Sequence, residues 1–71
     1  MTNTELLEEK ITQSGIKKTH LAKKLGLSLA GFRNCCINKA EFKASQVHTL
    51  CEELHIDLEE MKVIFFAKSG S

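Results

Sequence analysis

The stretch Leu21-Ala22-Lys23-Lys24-Leu25-Gly26-Leu27-Ser28, followed by Phe32 and Cys36, decides how this chain folds. Two short helices are predicted on either side of Gly26. Leu21, Ala22 and Leu25 make the inner face of the earlier one. Ala22 lets the two helices approach closely, and Gly26 permits a turn that needs positive φ or close packing. Leu27 plugs that turn, and Ser28 is a favoured N-cap for the helix that follows. Phe32 and Cys36, one turn apart, face the core, and Leu25, Leu27 and Phe32 lock the crossing angle. Two helices joined in this way form a helix-turn-helix. The first helix of such a pair bridges a DNA backbone and the second enters the major groove.

Working outward, the periodicity predicts five helices. The first runs from Thr4 to Ser14, with Thr2 and Glu5 at capping-box spacing and Leu6, Leu7 and Ile11 inward. Gly15 ends it. The second covers Lys18 to Leu25 and the third Leu29 to Ile37, stopped by Asn38, the favoured non-glycine residue for a left-handed position. Phe42 folds inward from the short loop after it. The fourth spans Ala44 to Leu54 through Val47, Leu50, Cys51 and Leu54. The fifth starts at Asp57, with Glu60 completing a capping box, and carries Leu58, Met61, Ile64 and Phe65. Residues 1–67 form one domain, and 68–71 read as a frayed or appended tail.

Composition agrees with an all-α fold. The 71 residues contain no proline, tryptophan or tyrosine. A strand-rich protein of this size normally carries aromatics and turn residues. The net charge is only +1, so a nucleic-acid surface has to come from a local patch and not from the total. Three cysteines, two of them adjacent, argue against a disulfide framework and for reduced thiols at core or boundary positions. The start of the chain lacks the pattern of a signal peptide, and no apolar run approaches the roughly 20 residues of a membrane span. The expected location is the cytoplasm.

The residues around the turn carry a family resemblance. Asn38-Lys39-Ala40-Glu41-Phe42 follows the third helix, then Lys43-Ala44-Ser45 and an amphipathic helix, and the chain runs out through Ile64-Phe65-Phe66-Ala67. Over Leu6 to Ala67 this resembles the small phage Cro/repressor-like helix-turn-helix proteins. The resemblance implies a five-helix, lambda-repressor-like domain acting in a lysis–lysogeny-like switch inside a bacterial host. It implies base contacts from Leu29, Ala30 and Asn34, with Arg33 beside them. Asn is suited to adenine and Arg to guanine. Phosphate contacts are implied for Lys17, Lys18, Lys39 and Lys43.

The chain also departs from that pattern. Relatives carry polar or charged residues at the front of the third helix, where this sequence has Leu29 and Ala30, and again where it has Cys35 and Ile37. A surface of Leu29, Ala30, Arg33, Asn34 and Ile37 is apolar for a base reader, and such patches mark protein contacts. Two partners therefore stand as expectations. One is double-stranded operator DNA. The other is a phage repressor, which this chain would bind through the same helix as an antirepressor or modulator. A homodimer through the fifth helix is expected if Met61 or Phe66 stays exposed.

Little points to catalysis. There is no nucleophile elbow and no phosphate loop. Cys51, His48 and His55 lack a recognised zinc spacing, and His20 reads as a solvated or capping residue. Neither an enzyme, a cofactor, a metal nor a small-molecule substrate is expected.

Overall fold

The computed structural model describes residues 2–66. They form five helices, α1 (Thr4–Ser14), α2 (Lys18–Leu25), α3 (Leu29–Cys36), α4 (Ala44–Leu54) and α5 (Leu58–Phe65). No strand occurs among the described residues, so the chain is all-α. The inferred end of the domain at residue 67 and the 68–71 tail lie outside the described residues.

The helix ends follow from local chemistry. Gly15 and Gly26 close α1 and α2 with φ of 72° and 73°. At Gly26 the Leu27 amide donates to the Ala22 carbonyl (2.9 Å) and the Gly26 amide to Lys23 (3.1 Å). These two bonds satisfy carbonyls that the helix end leaves unpaired, and Leu27 drops back onto the core. A methyl group at Gly26 would meet nothing within 4 Å. The glycine is therefore needed for its positive φ and not for close packing. Asn38 ends α3 in the same way, with φ 64° and the Lys39 amide donating to the Asn34 carbonyl at 2.8 Å. His55 holds the equivalent left-handed position after α4 at φ 55°, which its sequence does not announce.

Three local expectations are corrected. Asn3, not Thr2, caps α1: its side chain accepts from the Leu6 amide. Thr2 is engaged elsewhere, its backbone pairing with the Asn38 side chain. The third helix stops at Cys36, because Ile37 leaves helical geometry with φ −109°. Leu58 does not join the core. It opens α5 at the first position after the Asp57 cap and is 60% exposed.

One core serves the whole domain. Leu7, Leu21, Phe32, Leu50 and Ile64, one from each helix, are its largest fully buried side chains. Ala22 is 2% exposed, the small residue that α2 presents to the core. α2 packs on α3 and α4, and α1 touches α3, α4 and α5. Phe42 comes in from the loop and meets Phe32 and Phe65 edge-on, with ring centroids 6.1 and 5.8 Å away. Edge-to-face pairs of this kind add roughly 0.5–1.5 kcal/mol each beyond the area they bury. All three cysteines are buried free thiols. No helix among the described residues is long and apolar enough to cross a membrane.

Candidate functional site

The burial of one α3 face defines the other. Phe32, Cys35 and Cys36 point inward. Ala30, Arg33, Asn34 and Ile37 follow at i, i+3, i+4 and i+7 and are all exposed, so they make one outward stripe. Leu29 is half-buried and forms the stripe's border. Ser28 starts the helix by accepting from the Gly31 amide at 3.0 Å, and Ala30 is the exposed residue of the first turn. Ile37 is the conspicuous member, a β-branched apolar side chain 58% exposed. Of the predicted contact residues, the structure thus brings four together and sets Leu29 at the edge.

The lysines divide differently. Lys17 precedes α2 as its N-cap residue and Lys43 precedes α4 in the same role, while Lys39 follows the left-handed Asn38. All three side chains are exposed, and none is ion-paired among the described residues. The loop bearing Lys39 is fastened to α3, since the Lys39 and Ala40 amides both donate to the Asn34 carbonyl. The Lys43 amide donates to Gln46 Oε1 at 2.8 Å, fixing the start of α4. Lys18 stands apart, because its ammonium lies 2.8 Å from Glu8 of α1. That pair is partly solvated and worth under about 1 kcal/mol, so a phosphate could replace the carboxylate at small cost.

A stronger electrostatic feature emerges when the charges are counted along the chain. Residues 16–45, which hold α2, α3 and the loop after it, carry seven Lys and Arg against a single acid, Glu41. The rest of the chain carries three Lys against eight Asp and Glu. The near-neutral total conceals a cationic segment joined to an acidic remainder. A field of that shape orients the molecule toward an anionic partner.

Asn38 has a second role besides stopping α3. The Asn38 amide nitrogen donates to the Thr2 carbonyl (2.8 Å), and its carbonyl oxygen accepts from the Thr2 amide (3.0 Å). The Asn3 amide donates to the Ile64 carbonyl at the same junction. The leading segment thereby ties the end of α3 to the end of α5. A pairing across 36 positions leaves no local trace in sequence.

The thiols are not poised for chemistry. Burial pushes Cys36 up to about 11, with Glu8 adding to the shift and Lys18 opposing it. Burial also raises Cys35 and Cys51. A nucleophilic cysteine needs the opposite shift. Among the described residues no group of three or more His, Cys, Asp or Glu is placed to hold a metal ion. His20 reaches Glu53 of α4 at 3.3 Å, a surface contact between two helices. No protein-family model matches the chain, and no curated protein or solved structure matches it significantly.

Proposed function

We propose that this chain is a DNA-binding transcriptional regulator of a lysis–lysogeny-like switch, built on a Cro/repressor-type helix-turn-helix. In this reading α2, the Gly26–Ser28 turn and α3 are the motif, and α3 enters the major groove. Asn34 and Arg33 read base edges, Ala30 and Leu29 touch thymine methyl groups, and Ile37 lies against the groove wall. Lys17, Lys39 and Lys43 hold phosphates, joined by Lys18 once it leaves Glu8. The observation that carries the reading is the segregation of charge: the segment holding the exposed α3 stripe is the one that bears seven of the ten cations. A duplex is the anionic partner whose groove accepts a single helix.

The test starts with selection of duplexes from a random pool by the purified chain, followed by a salt series on the best binder. Four neutralised phosphates predict a log–log slope of about −3 to −4. Asn34→Ala is expected to cost on the order of 1–3 kcal/mol and to relax preference at one base pair. A chain that enriches no sequence, and that binds every duplex equally weakly, contradicts the reading.

The exposure of Ile37 favours a second reading, in which the same stripe covers a partner repressor and masks that partner's own DNA-binding helix. Here Ile37 is an anchor and Asn34 a bystander. Ile37→Asp then abolishes the complex while Asn34→Ala leaves it intact. Under the DNA reading the order of the two effects reverses.

A further inference from the structure

One of the four lysines set around α3 is already neutralised from within the chain. Lys18 opens α2, and its ammonium lies 2.8 Å from the Glu8 carboxylate of α1. Among the described residues this is the one ion pair that joins a Lys or Arg of residues 16–45 to an acid. Glu8 has a fixed base, because Leu7 and Ile11 anchor α1 in the core on either side of it. Both charges act on the Cys36 thiol, Glu8 raising it and Lys18 lowering it, so the pair lies near the last turn of α3. The two side chains still keep 35% and 43% of their surface in solvent, for Lys18 and Glu8 respectively. A dissolved anion can therefore reach the ammonium, and the carboxylate can swing away, without disturbing the core.

We infer that Glu8 stands in for a phosphodiester oxygen at Lys18, and that it turns the Lys18 contact with a duplex into an exchange of one anion for another. The inference rests on the DNA-binding reading above. To an ammonium, a carboxylate and a phosphate offer the same kind of acceptor, an anionic oxygen. When a free lysine meets a phosphate, a condensed cation leaves the duplex, and each such contact adds about 0.9 to the salt slope. At Lys18 the balance differs. The phosphate sheds its cation, but the released Glu8 carboxylate takes one up. The two changes nearly cancel, so Lys18 adds a contact and almost no slope. The freed carboxylate also stays close to the duplex and repels it. Glu8 thus lowers affinity at low salt and makes it less sensitive to salt. Lys17, Lys39 and Lys43 have no such counter-ion among the described residues and alone set the parent's slope, at about −3.

The experiment is fluorescence anisotropy of the full chain on two duplexes, the best binder from the random pool and an unrelated one, from about 50 to about 200 mM salt. Glu8→Gln keeps the shape of the side chain and removes its charge. It is expected to bind about fivefold more tightly at the low end and to steepen the slope by about 1, so that the gain falls below about twofold at the high end. Glu5→Gln removes the same charge from an exposed residue of α1 that has no ion partner among the described residues. It is expected to stay within about twofold of the parent. In a Lys18→Ala background, Glu8→Gln is expected to lose its effect on the slope. A Glu8→Gln slope equal to the parent's overturns the inference. So does an equal gain from Glu5→Gln, or a slope change that survives Lys18→Ala. Each of these outcomes leaves the DNA-binding reading standing. Equal binding of both duplexes contradicts that reading instead, while a steeper Glu8→Gln slope on both still supports the exchange. A parent chain that binds neither duplex overturns the two together.

Discussion

The cationic segment from residue 16 to 45 and the acidic remainder share one core but are built for different exteriors. The first is short-helixed, turned tightly at Gly26, and leaves a mixed stripe of Ala30, Arg33, Asn34 and Ile37 in solvent. The second uses longer α1 and α4 to close the core and spends its outward positions on carboxylates, with an apolar strip on α5. The difference shows that a net charge of +1 is the residue of two large, opposed contributions. Averaged composition hides the property most relevant to binding, and only its location on the fold restores it.

The largest perturbation removes the joint between the regions. Phe32 belongs to the cationic segment by position but packs, through Phe42, toward Phe65 of the other. Phe32→Ala is expected to cost about 3–5 kcal/mol, comparable with the whole margin of so small a domain. Urea denaturation checks this. A loss under about 1 kcal/mol would mean that the two regions do not share a core.

Cys36 senses both regions at once, its thiol raised by burial and by Glu8 and lowered by Lys18. Its folded value of about 11 lies above the ordinary 9.0. The folded state therefore keeps its proton where the unfolded chain has lost it. The contribution is intact below pH 9 and is lost as pH climbs from 9 toward 11. The loss is roughly 2–3 kcal/mol at about 1.4 per unit. Subtracting the stability profile of Cys36→Ala removes the lysine background, and the difference is expected to fall only in that window. A flat difference breaks the assignment.

Gly26→Ala sharpens the comparison by acting on the cationic corner alone. The new methyl group has open space but is held at φ 73°, so the cost is strain of about 1–2 kcal/mol. Gly26→Asn is expected to recover part of it, measured as a difference in denaturation midpoint. An alanine variant as stable as the parent would mean that the corner relaxes out of the left-handed region. Smallest is Asn38→Gly, which keeps the left-handed position but removes both bonds to Thr2. About 1 kcal/mol is expected, together with faster amide exchange in the Thr2–Asn3 segment. Unchanged exchange there would show that the Asn38 clasp does not hold the segment.

Much of this was legible in sequence, and the exceptions have physical causes. The bounds of α1, α2 and α4 follow from apolar spacing and cap residues, and Gly15, Gly26 and Asn38 stop their helices as their chemistry requires. The α3 stripe was legible for the same reason, because helical spacing and one buried face determine the other. Two of the misplaced features depend on contacts between distant segments, and the third on a helix end left uncovered. Thr2 lost the cap to Asn3 because Asn38 holds its backbone. Lys18 reads as free until α1 brings Glu8 beside it. Leu58 has the right spacing for the core but sits on the first turn, where nothing packs over it. Local rules see caps and periods, and the contacts made by Thr2 and Lys18 are not local.

The most direct test of the central claim sets the two regions against each other on one duplex. Fluorescence anisotropy over a salt series compares the parent with a variant carrying Lys17→Ala, Lys39→Ala and Lys43→Ala, and with Lys10→Ala from the acidic region. The triple variant is expected to bind more weakly and to flatten the salt slope by about 3, while Lys10→Ala leaves the slope unchanged. Equal slopes for parent and triple variant would contradict a phosphate-holding rim around α3, and with it the DNA-binding account.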